Sequence, residues 1–385
     1  MTRDVKLESA NVLFLTPDIG GGGAEAEFCR IAPKILRKAN RRIFATLRGS
    51  LPSLGWPDLD LRVIGWRGSW SYPPAISKTR RLINGNHIDL VYSLSRCANF
   101  VAYYAAQLSS RRPILVMGVN SQPWRAYALF PSIGGRFWMA MKRRVYPGAD
   151  LVLCNSQSAR TELIERFGCR PASVSVVRNP ICVSELQELA QTPASADARE
   201  LPPFLLYAGR FCEGKGLDEL ITVFARICRD IPHRLVLVGD GPLKRRLAEQ
   251  AGALQLGGRV IFTGWRQNPF PFYRLATAYV TASYWEGLPY GVLEAMALGL
   301  PVVSARSTSW IDEYHARGAC LAFAPGDVAA LAAAMKQVAV SPETRQSLAA
   351  AGHLIMRDYD VEQVVAERDR PLVSVLEASR SGDTV

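Results

Sequence analysis

The chain has 385 residues, of which 46 are Lys or Arg and 34 are Asp or Glu, giving a formal net charge of +12. Apolar residues make up 49% and charged residues 21%, a composition that is typical of globular proteins and excludes a disordered chain. No segment has the run of about 18 apolar residues that a membrane-spanning helix needs. The segment 1–10 carries four charges, so we expect no signal peptide.

The positive charge is confined to the first half of the chain. Residues 1–195 hold 26 basic and 13 acidic side chains, whereas residues 196–385 hold 20 basic and 21 acidic side chains. Because a single hydrophobic core stops growing near about 250–300 residues, the length predicts two domains as well. The charge and the length therefore agree on two domains with different surfaces.

Short apolar runs alternate with helix-length amphipathic segments along nearly the whole chain. Such runs between helices are typical of strands in a parallel sheet that is covered on both faces. The strands predicted in this way are 11–16, 43–47, 61–64, 88–93, 114–118, 150–153, 174–177, 204–208, 235–238, 259–263, 278–281 and 301–304.

The domain organisation follows from where the alternation stops. Residues 186–203 include a stretch rich in Pro, Ala and Ser without a period, which predicts a linker. We expect an α/β protein with two tandem doubly wound, Rossmann-like domains, 1–185 and 204–361, that face each other across a cleft. A C-terminal helix at about 362–385 is expected to pack back onto the first domain.

The first strand leads directly into a glycine-rich turn at Gly20, Gly21, Gly22 and Gly23, followed by a helix predicted over about 24–38. Four glycines allow a nest of backbone N–H groups, and the helix N-terminus adds donors, so the turn can bind an anion. No Lys-Ser/Thr pair follows, which excludes a P-loop. A tight turn that binds nothing is the alternative.

Four charged residues follow two strands of the second domain. Arg210 and Lys215 lie in the Gly-containing loop after 204–208, and an Arg fork with a Lys ammonium suits a pyrophosphate. Glu286 and Glu294 lie in the loop and the helix after 278–281, where their carboxylates can accept hydrogen bonds from sugar or ribose hydroxyls. The alternatives are two solvated cations and a carboxylate that compensates the helix dipole. Together the four residues indicate a nucleotide-sugar site.

The motif from Glu286 to Val302, EGLPxxxxEAMAxGxPV, resembles the EX7E signature of the retaining "glycosyl transferases group 1" family, which has the GT-B fold. Three further motifs match this family in the same order as the glycine-rich turn and the EX7E motif. They are Gly209-Arg210 with Lys215-Gly216, the segment 238–243 (VGDGPL) and the segment 262–264 (FTG). The resemblance covers the chain from about residue 11 to residue 380.

The resemblance implies how the charged residues act. Arg210 and Lys215 would neutralise the donor diphosphate, Glu286 would contact hydroxyls of the transferred sugar, and Glu294 would hold the ribose hydroxyls. Members of the family retain the anomeric configuration and use no bound metal and no cofactor. Since the leaving group is a nucleoside diphosphate, stabilising its developing charge is the main catalytic task.

The resemblance also implies the rest of the donor site. Leu288 and Pro289 would place backbone N–H groups near the phosphates, and the loop with Thr263, Gly264 and Arg266 would flank the nucleobase. The loop with Gly21, Gly22 and Gly23 would close over the phosphate and the sugar from the first domain.

Two departures from the family pattern concern the sugar-binding end of the site. Where members often carry a His after the fifth strand, this chain has Val119, and the adjacent Asn120 can hydrogen-bond the transferred sugar or the acceptor instead. The family's Gly-Gly-x-x-Glu is replaced by Thr308-Ser309 and ends in Asp312, which still offers an acceptor. The donor sugar is therefore less well defined than the diphosphate site.

The function expected from the resemblance is retaining transfer of a hexose to a hydroxyl of a lipid-linked or growing glycan. The donor is expected to be a UDP-sugar rather than GDP-mannose, and the pathway envelope polysaccharide or lipopolysaccharide synthesis. Two alternatives remain: an inactive glycosyltransferase-like scaffold and a basic nucleic-acid-binding protein. We do not expect nucleic-acid binding, because no recognisable module is present.

A basic and aromatic helix predicted over 134–146 is typical either of a helix in an anionic membrane interface or of a packed helix with solvated cations. Trp66, Trp70 and Tyr72 likewise fit loop packing or an acceptor platform. With the charge of the first domain, we expect a cytoplasmic protein, peripheral at the inner face of an anionic membrane. The eight Cys, which include no CxxC pair, favour buried thiols over disulfides or metal ligands.

Overall fold

The computed structural model describes residues 7–18, 31–49, 59–66, 71–129, 133–193 and 201–378. The chain divides into two compact units, one formed by 1–180 with 361–385 and the other by 181–360. Within the described part of the chain, no helix combines the length and the apolar character needed to cross a bilayer.

The first unit is built on a seven-stranded sheet in which every paired strand is parallel, in the order β3-β2-β1-β4-β5-β6-β7. Its strands are β1 (Asn11–Thr16), β2 (Arg41–Thr46), β3 (Asp60–Val63), β4 (Leu90–Leu94), β5 (Ile114–Val119), β6 (Leu151–Cys154) and β7 (Val174–Val176). Its helices are α1 (Tyr72–Gly85), α2 (Arg96–Gln107), α3 (Pro123–Leu129), α4 (Ile133–Val145), α5 (Gln157–Glu165) and α14 (Val361–Ala378).

Each face of this sheet has its own apolar core, because successive side chains of a strand point to opposite faces. Leu13 and Leu15 of β1 lie in one cluster with side chains of α1 and α2. Val12 and Phe14 lie in the other cluster with Leu372 and Leu376 of α14. The apolar runs of the sequence therefore form the strands of a doubly wound sheet, as predicted.

Helix α14 is fixed to the first unit by a buried arginine. Arg368 donates hydrogen bonds to the Tyr92 hydroxyl at 3.0 Å and, at 2.7 Å, to both the Arg178 carbonyl and the Asn179 side chain. These groups lie in β4 and in the segment that ends the first pass of the chain through this unit. The C-terminal helix thus packs in the unit that contains 1–180.

The second unit contains a six-stranded parallel sheet in the order β10-β9-β8-β11-β12-β13. Its strands are β8 (Phe204–Ala208), β9 (Arg234–Val238), β10 (Val260–Gly264), β11 (Ala278–Thr281), β12 (Val302–Ala305) and β13 (Leu321–Phe323). Its helices are α6 (Val183–Gln191), α7 (Leu217–Ile227), α8 (Lys244–Ala253), α9 (Phe270–Leu275), α10 (Tyr290–Ala297), α11 (Ser309–Ala316), α12 (Val328–Val340) and α13 (Pro342–Met356).

Two elements differ from the sequence-based expectation. The expected linker 186–203 begins inside helix α6, whose Leu186 and Ala190 are buried in the second unit. The short strand β13 at the sheet edge was not expected. Of the helix predicted over 24–38, Ile31 is helical and residues 32–38 form turns, while 24–30 lie outside the described residues.

Candidate functional site

The strand order of the second sheet creates a crevice beside β8. The strands that follow β8 in the chain, β9 and β10, lie on one side of it. On the other side β8 pairs with β11, which is followed outward by β12 and β13. Loops after two such strands diverge, and ligands of doubly wound sheets bind in the crevice between them. Arg210 and Lys215 lie in the loop after β8, and Glu286 lies in the loop after β11, so the topology brings these residues to one place.

The central contact at this crevice is an ion pair between Lys215 and Glu286. The Lys215 Nζ lies 2.5 Å from the Glu286 Oε1, and the side chains are 27% and 19% exposed. Burial acts to lower the pKa of Lys215, but the charge and hydrogen bond of Glu286 outweigh it, and the pKa is raised. Lys215 is therefore a firmly protonated cation at the edge of the crevice.

Two glycines allow the Lys215 loop to approach its neighbours. Gly214 has φ +85° and faces the Trp285 ring so closely that a Cβ atom would overlap it. Gly216 has φ +63° at the N-cap of α7, and a Cβ atom there would overlap the Ala282 carbonyl. The Tyr284 N–H donates to the Gly214 carbonyl at 2.8 Å, so the loops after β8 and β11 are joined directly.

Arg210 lies next to this ion pair on the exposed side of the loop. Its charge acts against the protonation of Lys215, as expected for two cations at close range. Its carbonyl accepts a hydrogen bond from the Tyr207 hydroxyl at 3.3 Å, which ties the loop to the end of β8. Two adjacent cations with one carboxylate leave a local positive charge that suits a diphosphate.

Glu294 is half-buried on α10 and is bound by a buried tyrosine. The Tyr273 hydroxyl donates to the Glu294 Oε2 at 2.9 Å. The Tyr273 ring stacks on Tyr279 at a centroid distance of 5.6 Å, and Tyr279 stacks on Tyr207 at 6.4 Å. Burial, followed by the nearby Glu294 charge, raises the pKa of Tyr273 well above its usual value, so this hydroxyl remains a donor.

The loop that contains Glu286 is also tied to the loop after β12. The Glu286 N–H donates to the Ser307 carbonyl at 3.1 Å, and the buried Thr308 hydroxyl donates to the Gly287 carbonyl at 2.9 Å. The Thr308 side chain thus bonds the loop that contains Glu286.

Helix α10 begins beside Glu286. Leu288 and Pro289 are buried immediately before its first turn. Since proline has no N–H, the backbone donors expected near a phosphate belong to Leu288 and to the first turn of α10, and not to Pro289 itself. The expectation of an N–H group on Pro289 is corrected accordingly.

The remaining residues expected in the second domain lie at the end of β10 and after β12, and three strands separate β10 from β12 in the sheet. Thr263 and Gly264 end β10, and Arg266 follows with its guanidinium 5.8 Å from the centre of the Phe272 ring. Asp312 lies in the first turn of α11 and forms a 2.5 Å ion pair with Arg306. Asp312 is therefore already engaged by a cation.

The candidates of the first domain belong to the other unit. Val119 is the buried last residue of β5, and the half-buried Asn120 follows it at the carboxyl edge of the first sheet. Gly21, Gly22 and Gly23 lie outside the described residues, as does Trp70. The roles expected for Asn120 and the glycine loop remain predictions.

The aromatic residues of the first unit are mainly packed. Tyr72 is buried, and its ring contacts Trp66 at 5.5 Å, Phe100 at 4.8 Å and Trp138 at 5.9 Å, measured between centroids. In the same helix as Trp138, Phe137 is 59% exposed. Helix α4 therefore combines a packed tryptophan with an exposed phenylalanine. The tryptophan fits a packed helix, and the phenylalanine fits a helix in a membrane interface.

Two family models match successive parts of the chain: Glycosyltransferase Family 4 at residues 30–185 and Glycosyl transferases group 1 at residues 191–354. The two models together span most of the chain, and the group 1 match over residues 191–354 agrees with the resemblance of its motifs. Among solved structures, Anabaena HepE in complex with UDP-glucose has a TM-score of 0.75 at 21% identity, and the match covers 94% of this chain and 99% of that chain. This similarity confirms the GT-B fold.

Curated relatives are similar over parts of their length. The N-acetylgalactosamine-N,N'-diacetylbacillosaminyl-diphospho-undecaprenol 4-alpha-N-acetylgalactosaminyltransferase of Campylobacter jejuni is 28% identical over 228 residues, 59% of this chain and 60% of the relative. The lipopolysaccharide core biosynthesis glycosyltransferase LpsE of Rhizobium meliloti is 29% identical over 237 residues, 60% of this chain and 67% of the relative.

An uncharacterized glycosyltransferase of Methanocaldococcus jannaschii is 33% identical over 163 residues, 41% of this chain and 40% of the relative. The chain thus matches less than two thirds of the length of two of these three relatives.

Sequence reasoning missed three residues that shape the site: Tyr273, Trp285 and Ser307. Tyr273 comes from the preceding helix, and nothing in the spacing of the sequence links it to Glu294. Trp285 directly precedes Glu286, so its position gave a signal, although only the structure shows that its ring packs on Gly214.

Proposed function

We propose that the protein is a retaining, metal-independent glycosyltransferase that moves a hexose from a nucleotide-sugar to a hydroxyl of a glycan. The observation that carries the proposal is the Lys215–Glu286 ion pair at the crevice beside β8. It places a protonated cation and a hydroxyl acceptor within one side-chain length of each other, and a sugar diphosphate requires both groups.

The chemistry assigned to these residues is charge stabilisation. Lys215 and Arg210 bind the diphosphate and offset the negative charge that grows on it as the glycosidic bond breaks. A cation that is already fixed in place loses little side-chain freedom when the donor binds. This pair of cations does the work for which other enzymes use a metal ion, so the proposed mechanism needs none.

The carboxylates orient the donor. One Glu294 oxygen accepts from Tyr273, which fixes the carboxyl plane, and the group as a whole is assigned to the ribose hydroxyls. Glu286 is assigned to hydroxyls of the transferred sugar, and the N–H groups at the start of α10 to the phosphates. Thr263, Gly264 and Arg266 are assigned to the nucleobase, and Asp312 and Asn120 to the sugar.

A UDP-sugar is the proposed donor, since HepE of Anabaena was solved with UDP-glucose and shares the fold over nearly the whole chain. The proposed acceptor is a lipid-linked or growing glycan of the cell envelope. The name of the C. jejuni relative gives a diphospho-undecaprenol-linked acceptor, and that of the R. meliloti relative gives lipopolysaccharide core synthesis.

Calorimetric titration with UDP-glucose, UDP-galactose and GDP-mannose tests the donor site. We expect a UDP-sugar to bind best, and Lys215→Gln and Glu286→Gln to weaken that binding at least tenfold. Lys336→Gln is the matched control, since Lys336 also forms an ion pair, with Asp230, but on the exposed surface of the same unit. Equal binding by all four proteins would contradict the site. Tight, salt-sensitive nucleic-acid binding without nucleotide-sugar binding would contradict the function.

The stereochemistry is tested separately on the product. The proton coupling constant at the anomeric carbon, measured by NMR, should show the same configuration as in the donor. An inverted product would overturn the retaining mechanism and leave the donor site intact.

We further propose that the protein is cytoplasmic and that its first unit binds the inner face of an anionic membrane. Helix α4 supports this location, because it ends in Lys142, Arg143 and Arg144 and exposes Phe137. The protein should sediment with phosphatidylglycerol vesicles at low salt and less so at high salt. Phe137→Ala should reduce the bound fraction. A protein that stays in the supernatant at low salt would refute this location.

A further inference from the structure

The second unit has another cleft, at the edge of its sheet opposite to the crevice beside β8. Its walls include Pro203, His233, Thr277 and Pro301, each of which directly precedes a strand, together with residues of α9, α12 and α13. These four residues mark the amino edge of the parallel sheet, whereas the proposed donor site lies at the carboxyl edge. The cleft has a volume of about 620 Å³, and small-molecule sites usually measure about 300–1,000 Å³.

The charged side chains that line this cleft are cations. Arg274 and Arg345 contribute to its walls, and among the described residues that line it none is acidic. Neither arginine forms an ion pair with any residue that the structure describes. In contrast, Arg306 and Arg317 of the same unit are paired with carboxylates. The cleft therefore has a positive charge that a ligand could balance.

Both guanidinium groups are anchored by main-chain carbonyls. The Arg274 Nε donates to the Ala190 carbonyl at 2.9 Å. One amino group of Arg345 donates to the Val338 and Ala339 carbonyls at 2.8 and 3.0 Å. An arginine carries five N–H donors, so each side chain keeps donors that these contacts do not use. Because the two cations are already held in place, an anion that binds them loses less free energy to the ordering of side chains.

A buried histidine of the same cleft has an unpartnered ring nitrogen. His233 is 6% exposed, and its Nδ1 has no hydrogen-bond partner within the described ranges. Burial, followed by the charges of Arg345 and Arg259, lowers the pKa of His233. A buried polar atom without a partner is unfavourable, and native proteins contain few of them. Since His233 lines the cleft, a ligand there can supply the missing partner, and an anion also offsets the two positive charges.

We propose that this cleft binds a small organic phosphate, with its phosphate group among Arg274, Arg345 and His233. Two guanidinium groups match the charge of a phosphate dianion better than that of a single carboxylate, and an arginine fork fits phosphate oxygens. Thr277 and Gln346 also line the cleft and can hydrogen-bond hydroxyls of the organic group. The ligand is neither the donor nor the acceptor of the proposed function, so the site is an additional one.

The ring of His233 can report directly on this cleft. The chain has four histidines, so NMR of the full chain labelled with ¹³C-histidine resolves few ring resonances, and His233→Gln assigns the relevant one. Glucose 1-phosphate is the probe, with glucose as the uncharged control and gluconate as the carboxylate control. We expect glucose 1-phosphate at millimolar concentration to shift the His233 resonance in a saturable way, and both controls to leave it in place.

Four variants test which residues hold the phosphate. Arg345→Gln and Arg274→Gln should each weaken binding of glucose 1-phosphate at least tenfold, as read from the His233 resonance, and urea unfolding verifies that each variant is folded. Arg245→Gln should not change the affinity, because Arg245 is a 91% exposed arginine on α8, outside the cleft. Lys215→Gln should not change it either, since Lys215 lies at the opposite edge of the sheet.

The outcomes separate this cleft from the proposed donor site. A response that only the two cleft arginines weaken supports the proposal, whether or not the protein binds UDP. A His233 resonance that glucose 1-phosphate does not move, or that responds equally in folded Arg345→Gln and Arg274→Gln, would overturn it. A response that Lys215→Gln abolishes would overturn it in favour of phosphate binding at the donor site. An equal response to gluconate would rule out selectivity for phosphate.

Discussion

Removing the ion pair between Lys215 and Glu286 is the most direct test of the site. A double-mutant cycle measures the coupling energy between the two side chains. The cycle compares Lys215→Gln, Glu286→Gln and the double variant with the unchanged protein. Exposed ion pairs contribute about 0.2–1 kcal/mol, and breaking a fully buried pair costs about 3–5 kcal/mol. With side chains 27% and 19% exposed and a 2.5 Å contact, we expect a coupling energy of about 2 kcal/mol, between these limits.

Urea unfolding, followed by tryptophan fluorescence, measures the four free energies of unfolding. The raised pKa of Lys215 also determines how the coupling energy depends on pH. Because the pKa of Lys215 in the folded chain is above its usual value of 10.5, the stabilisation is fully present below that pH. It is lost only as the pH rises through the folded pKa. The coupling should therefore be constant between pH 6 and pH 9.

The unfolding data decide whether the ion pair exists in solution. A coupling energy below about 0.5 kcal/mol would show that the pair behaves as a solvated surface contact. A coupling that fades between pH 7 and pH 9 would contradict the raised pKa of Lys215. Either result would remove the fixed cation on which the proposed donor site depends.

Three further predictions concern single residues. Gly214→Ala should lower the free energy of unfolding by about 2 kcal/mol or more and weaken UDP binding, because its positive φ and the Trp285 ring exclude a Cβ. Gly257→Ala is the control, since a Cβ there meets open space, and it should change neither quantity. Urea unfolding measures the first quantity and calorimetry the second. Tyr273→Phe should weaken UDP binding about fivefold through the freed Glu294, whereas Tyr359→Phe, which loses a hydroxyl contact elsewhere in the unit, should leave calorimetric binding unchanged; equal effects would refute the role of Tyr273. Burial raises the pKa of Asp369 to about 6 against the opposing Leu36 N–H, so its contribution to stability should fall by about 2 kcal/mol from pH 4 to pH 6; the difference in unfolding free energy from Asp369→Asn measures this slope, and a flat difference would contradict it.

The fold could be predicted because the apolar runs are long and uninterrupted where strands are buried on both faces. Val12 to Leu15 and Leu235 to Val238 are such runs, and both are strands. Strand β13 has three residues at a sheet edge, too few to show a pattern. Helix α6 could not be predicted because the Pro, Ala and Ser that follow it indicate a linker, and only two of its residues, Leu186 and Ala190, are buried.

The site could be predicted as far as residues that follow strands in sequence. Arg210, Lys215 and Glu286 follow β8 and β11, and parallel strands bring their carboxyl ends to one edge. The hydrogen bond from Tyr273 to Glu294 could not be predicted, because the contact depends on how helix α9 packs against α10. The ion pair of Asp312 with Arg306 also depends on a packed geometry that the spacing does not reveal.

The return of α14 to the first unit has a consequence for biosynthesis. The ribosome makes residues 1–180 first, yet Tyr92, Arg178 and Asn179 receive their buried partner Arg368 only after residues 181–360 have been made. At about 5–20 residues per second, that delay is about 9–36 s. During this interval one face of the first sheet lacks Leu372 and Leu376. The unit translated second is thus the first that can be completed, and the unit translated first is completed only when α14 emerges.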